Sequence, residues 1–294
     1  MTERRGVYFL ANDFIYDRVI AFLNSFRRFN ESIPLCLIPY ADDTERLMRL
    51  QSRYDFTVWP GDPALLQSCD EISRQFHGPQ RTERKYRKMA AWEGDFEEFL
   101  YIDCDTVVLR DVGFVFGYLD RFAFVTGSSN VPVIRGLVWE DSIYQAGALT
   151  DDQIAYAAGT GFVASRKEHL PFAAVRRRVP GALQLAQHMY LETCEQPLLN
   201  YLIVTSGLPY SSLSVIASTG DAVDVAVERW AGMPVGEVRR GQIVSPESPP
   251  TLCVHWAGLW YRDGKDIAQL PHVDLSELPN YDLWSYYRYE FADR

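Results

Sequence analysis

The pattern that most restricts the fold is a short apolar run that stops abruptly at acids or amides. It occurs as GVYFLA (6–11) before Asn12 and Asp13, as PLCLIP (34–39) before Asp42 and Asp43, and as FLYI (99–102) before Asp103-Cys104-Asp105. An unbroken apolar run of this length reads as a strand buried on both faces. Between the first two, IYDRVIAFLNSFRRFN (15–30) sets Val19, Phe22, Leu23 and Phe26 at helical spacing. A helix over Thr44–Tyr54 and a strand over DFTVW (55–59) follow. Strand, helix and strand in alternation build a mostly parallel α/β sheet with right-handed crossovers. Ligands of such sheets lie outside the carboxyl ends of the strands. All three acid clusters therefore fall on one edge.

Beyond residue 110 the pattern loosens. A helix is predicted over 82–98, carrying Arg84, Lys85, Arg87 and Lys88 just after Arg81. These bases read as a solvated face or as partners for phosphate. Residues 126–155 look like loops over a site. AGTGFVAS (158–165) reads as a strand, 181–206 as a helix pair, 242–250 as a turn-rich approach and TLCVHW (251–256) as a late strand. With 294 residues and 47% hydrophobic content, one domain with an attached subdomain fits. Its halves are about 1–125 and 126–262, with an aromatic extension at 263–294 that is expected to pack on the domain.

The formal net charge of −10 opposes binding to nucleic acid or to anionic membranes. Five cysteines, an odd number with no CxxC spacing, argue against a disulfide framework or a zinc site. The start shows no signal-peptide run, and no apolar stretch approaches 18 residues. A cytoplasmic protein without an integral membrane segment is the expectation.

Asp103 and Asp105, at i and i+2 after a strand, point the same way. Hard oxygen ligands of this kind suit Mg²⁺ or Mn²⁺ bridging a nucleotide diphosphate. The same pair also reads as two solvated strand-end acids. Cys104 should face the opposite side and takes no catalytic role. His255, at the end of TLCVH, reads either as a packed histidine or as a metal ligand. His77, His169, His188 and His272 read as structural or surface residues. Glu195 and Gln196 open an apolar helix, as a cap or as a polar pair offered to a sugar.

Together and in order, these stretches resemble the retaining GT-A glycosyltransferases of the glycogenin and bacterial galactosyltransferase type, family 8. FLANDFIYDRVIAFLNS is similar to that family's first strand and nucleotide loop, and FLYIDCDTVVLRDV to its DxD strand. AGTGFVASRK resembles its NxG stretch, ETCEQPLLNYLI its DQ…LN helix, and VHWAG its HxxG motif. The resemblance implies a GT-A fold and transfer of a hexose from a nucleotide diphosphate sugar, a UDP-sugar before a GDP-sugar. The acceptor hydroxyl is unknown, and transfer would proceed with retention.

It further implies that Asp103, Asp105 and His255 hold Mn²⁺ or Mg²⁺. Ala11, Asn12, Asp13, Lys88, Cys104, Gly161 and Arg262 would lie along the donor. Glu195 and Gln196 would serve catalysis against its sugar. Three positions depart from the family: Gly159 stands for Asn, Glu195 for Asp, and Tyr261-Arg262 for the start of Lys-Pro-Trp, with Lys265 further on. Two rivals remain. One is a non-catalytic, decayed nucleotide-sugar-binding protein. The other is a sugar nucleotidyltransferase, which would need a Gly-rich phosphate loop that LANDFIYD lacks.

Overall fold

The computed structural model describes residues 4–220, 225–245, 248–262, 265–270 and 273–291. A seven-stranded sheet carries the molecule, built from β1 (Arg5–Ala11), β2 (Leu35–Pro39), β3 (Phe56–Val58), β4 (Glu98–Ile102), β6 (Phe124–Thr126), β7 (Phe162–Arg166) and β8 (Tyr210–Ser212). Their order is β3-β2-β1-β4-β7-β6-β8. Every neighbouring pair is parallel except those made by β7, which runs against β4 and β6. The smaller sheet has three strands: β5 (Thr106–Val108), β9 (Val227–Trp230) and, between them, Thr251–His255.

The apolar runs behave as strands with both faces covered. In β1, Val7, Phe9 and Ala11 enter one core, with Val19, Phe22, Leu23 and Phe26 of the helix Tyr16–Phe29. Tyr8 and Leu10 enter the other, beneath Trp92 and Phe99. Two-residue alternation explains why both sets must be apolar. A third core gathers Trp256, Trp260, Trp284 and Tyr287. There the aromatic C-terminal segment packs on the helix Tyr16–Phe29, with Asn24 Nδ2 donating to Tyr287 O at 2.7 Å.

Several local expectations change. The stretch Thr44–Tyr54 forms two one-turn helices, Glu45–Met48 and Gln51–Tyr54. Such short helices gain little from propagation, so outside anchors place them. The first is held by Asp13, whose carboxylate accepts from Arg46 N and Leu47 N. The segment 82–98 is a 3-10 helix over Arg84–Glu93 rather than an α-helix. Its residues Tyr86 to Trp92 are all buried, so Arg87 and Lys88 lie on no solvated face, while Arg81 and Lys85 remain exposed. A helix over Pro63–His77 stands where no element is predicted, started by Asp62 accepting from Ala64 N. The strand expected at 158–165 spans Phe162–Arg166, and the later helices are Phe172–Gln184 and Gln196–Val204. Among the described residues no helix is long and apolar enough to cross a membrane.

Candidate functional site

Asp103-Cys104-Asp105 is the junction between the two sheets, since β4 ends at Ile102 and β5 begins at Thr106. Strand pairing decides what surrounds it. Antiparallel β7 pairs Phe162 with Ile102, so Gly161 faces Asp103, and Asp103 N donates to Gly161 O at 2.8 Å. The strand Thr251–His255 pairs His255 with Thr106, which brings the imidazole beside Asp105. His255 Nε2 lies 3.0 Å from Asp105 Oδ1 and 3.9 Å from Asp103 Oδ2. One ligand atom from each of Asp103, Asp105 and His255 falls within 4.8 Å of the others.

The set fits a divalent ion in two respects. Two carboxylates with one imidazole form a donor set of the kind Mn²⁺ and Mg²⁺ accept. Gly161 also keeps the cradle open: a Cβ there would lie 2.3 Å from His255 Cε1 and 2.9 Å from Asp103 Oδ2.

Charge inside the site is tightly paired. Lys88 is buried, with Nζ 3.0 Å from Asp103 Oδ1 and 2.6 Å from Glu195 Oε1. Burial opposes its charge, but Asp103 and Glu195 hold its pKa above the ordinary value. Tyr101 Oη donates to Asp103 Oδ1 at 2.7 Å. Burial and then Asp103 push that phenol well up, so it stays a donor. His255 is pressed downward by burial, yet Asp105 and Glu228 outweigh this and raise its pKa well above 6.5. Burial likewise opposes the charge of Asp105, but His255 first, then Lys85 and Arg18, hold its carboxyl well below the usual range.

Glu195 occupies the N-cap position of the helix Gln196–Val204, but its side chain makes no capping hydrogen bond. Its Oε1 also accepts from Thr160 Oγ1 at 3.0 Å, while Oε2 is buried without a hydrogen-bond partner. Gln196 is tethered at both ends of its amide. Oε1 accepts from Thr160 N at 3.4 Å, and Nε2 donates to Leu137 O at 3.0 Å.

The other predicted residues divide. Ala11 and Asn12 sit at the end of β1, and Asn12 Nδ2 donates to both oxygens of Asp43. Both carboxylate oxygens of Asp13 are occupied in capping. Cys104 turns away into the core, with Sγ 3.5 Å from Leu10 O. Arg262 lies on an exposed hairpin, 3.9 Å from Glu277 Oε2. A side chain at Gly159 would meet open space, so steric need does not explain that glycine. Within the basic run, Arg87 is buried in a two-bond pair with Asp70. His77 bonds to Tyr86, His169 to Ala123 O and His188 to Ser142, as structural histidines do. His272 lies outside the described residues.

Sequence reading misses Glu228. Its Oε1 is 2.7 Å from His255 Nδ1, so it fixes the ring and aims Nε2 at Asp105. It stands on β9, paired with Cys253, two residues short of His255. A lone Glu 27 residues upstream of a histidine gives no local signal. Carboxylates behind ligating histidines typically contribute about 10–100-fold to metal affinity. Glu228→Gln is therefore expected to weaken Mn²⁺ binding by about that factor while the apo fold persists. Calorimetric titration with the metal checks it, and unchanged affinity would remove Glu228 from the site.

A cleft of about 470 Å³ is lined by Phe29, Arg110, Asp111, Gln242 and Thr251 among others. It lies at the other end of the small sheet from His255 and gathers no converging acids, so we assign it no part in the chemistry.

No protein-family model matches the chain, and no curated protein matches it. Solved structures do. The bifunctional glycosyltransferase WbbM, in its apo form, is 12% identical with TM-score 0.60 over 100% of this chain and 52% of that one. The chain thus spans about half of WbbM's length. The galactosyltransferase LgtC, in complex with donor and acceptor sugar analogues, is 13% identical with TM-score 0.58 over 96% of this chain and 95% of that one. The glycosyltransferase GlyE of Streptococcus pneumoniae TIGR4 is 13% identical with TM-score 0.51 over 98% and 61%. The chain has the GT-A glycosyltransferase fold.

Proposed function

We propose that the protein is a metal-dependent glycosyltransferase that moves a hexose from a nucleotide diphosphate sugar to an acceptor hydroxyl, with retention. The observation that carries this reading is the convergence of Asp103, Asp105 and His255 around the cradle left by Gly161, at the carboxyl edge of the sheet. Asp103, Asp105 and His255 would hold Mn²⁺ or Mg²⁺. Bound there, the ion supplies Lewis-acid stabilisation to the departing diphosphate.

This chain's residues do the rest. Asn12, on the edge beside β2, is placed to meet the nucleoside. Glu195 is the sugar contact: its unpartnered buried oxygen accepts a hydrogen bond from a donor hydroxyl, which removes the cost of an orphaned acceptor. Lys88 pairs with both Glu195 and Asp103 and holds the two carboxylates in place. Gln196, tied to Thr160 N and Leu137 O, couples the sugar pocket to the loop before it. As the glycosidic bond breaks, the acceptor hydroxyl attacks from the same face and its proton passes to the leaving phosphate. No strong general base is needed.

The test is thermal unfolding with UDP, GDP, CDP and dTDP, each with Mn²⁺ and with EDTA. A ligand of the native state stabilises it by mass action, by about 2.7 kcal/mol at a hundred times Kd, and so raises Tm. A metal-dependent rise with one nucleotide is the expected result and identifies the donor class. No rise with any of them sinks the proposal and leaves a protein of this fold without its site.

A further inference from the structure

Lys85 is the basic residue of the 3-10 helix that the site leaves unused. In such a helix residues i and i+3 eclipse, so Lys85 shares the face of Lys88, about 6 Å further along the axis at ~2 Å per residue. Lys88 is buried and fully engaged by Asp103 and Glu195. Lys85 is exposed, and among the described residues its ammonium makes no hydrogen bond or ion pair. It nonetheless stands in the electrostatic reach of Cys194, Glu195, Asp103 and Asp105. Tyr40, at the end of β2, feels both Lys85 and Tyr261, so this ammonium borders the space between the nucleotide edge and the segment after His255.

A cation that stays charged and unpartnered in a cleft of acids has room for one further anion. Three other bases already have acidic partners. Arg87 is locked on Asp70, Arg18 on Asp266, and Arg262 stands exposed beside Glu277. Resting on the donor-site reading above, we infer that Lys85 is the side chain that binds the diphosphate of the donor. It reaches from the 3-10 helix wall and shares the phosphate charge with the ion held by Asp103, Asp105 and His255. A lysine suits this role as a compact point charge on a flexible stem. It would also balance the negative charge that grows on the leaving group as the sugar departs.

The test uses the whole chain and starts from a probe free of any assumption about the base, inorganic pyrophosphate with Mn²⁺, followed by UDP and UMP with Mn²⁺. Lys85→Met keeps length and loses charge; Lys85→Arg restores charge. Lys85→Met is expected to bind pyrophosphate and UDP about tenfold more weakly, to change UMP affinity by less than about threefold, and to keep the apo Tm of the wild type. Lys85→Arg is expected to recover most of the loss. Wild-type affinity in Lys85→Met overturns the assignment. So does the opposite pattern, in which Arg262→Met loses pyrophosphate and Lys85→Met does not. Equal losses of UMP and UDP in Lys85→Met also overturn it, since that charge would then act on the whole ligand. If the wild type itself binds none of the probes with metal, the donor-site reading fails first and this assignment falls with it.

Discussion

Asp105→Asn is expected to abolish measurable metal-dependent nucleotide binding and to lower sugar transfer by more than about 100-fold. The floor follows from outer-shell partners of metal ligands, whose loss already costs about 10–100-fold; a ligand itself must cost more. The substitution keeps shape and removes one charge. Asp105 faces His255 at 3.0 Å across two paired strands, so the backbone that presents it is held by β5 whatever its side chain.

The same change alters the pH response of the metal-free protein, and its sign is fixed by two shifts. His255 has a raised pKa, so its contribution is full below 6.5 and is lost as pH rises through the higher folded value. Asp105 has a depressed pKa, so its contribution is full above 3.8 and is lost as pH falls through the lower folded value. Asp105→Asn removes the second and shrinks the first. Its apo Tm should therefore vary less with pH on the alkaline side of 6.5 than that of the wild type. In the wild type, binding a metal must expel the His255 proton, so metal affinity rises with pH over that range. Thermal unfolding without metal and calorimetric titration with Mn²⁺, each at several pH values, read the two effects. Metal-dependent binding in Asp105→Asn at wild-type strength would sink the assignment.

The elements legible in the sequence are those whose packing is local. β1, β2 and β4 are covered on both faces and announce themselves as apolar runs, and the acids after them mark the ligand edge. Asp103, Asp105 and His255 could be paired in advance only through the resemblance. Their meeting depends on Thr251–His255 lying antiparallel to β5, a contact across some 150 residues. Glu228 was hidden for the same reason, because nothing near it in the chain foretells β9 beside His255. The 3-10 helix was misread because its burial comes from the elements around it. Its residues Met89, Ala90 and Ala91 are good helix formers, and their burial comes from elsewhere in the chain: Trp59 Nε1 donates to Ala90 O at 3.0 Å, and the helix Pro63–His77 packs along them. Lys88 reads in the sequence either as part of a solvated face or, through the resemblance, as a base along the donor; its buried pairing with Asp103 and Glu195 appears only in the fold.

Lys88→Met should therefore be the most destabilising single change in the site, by about 3–5 kcal/mol, the usual cost of removing one partner of a buried ion pair. With domains stable by about 5–15 kcal/mol, this is a large share of the total. The size comes from what is left behind. Asp103 retains the Tyr101 hydroxyl and is partly open to solvent, so it tolerates the loss. Glu195 is nearly sealed: it keeps only the Thr160 hydroxyl on Oε1 and nothing on Oε2. A carboxylate left there without a cation is costly to keep buried and pulls its helix end toward water. Glu195→Gln removes that charge, so the double variant Lys88→Met with Glu195→Gln should recover most of the stability of Lys88→Met alone. Urea unfolding of wild type, both single variants and the double variant closes the cycle. A coupling of several kcal/mol between the two positions is the expected result. Additive losses would mean that Lys88 serves Asp103 alone, and the sugar pocket would then owe its shape to Thr160 and Gln196 rather than to a buried charge pair.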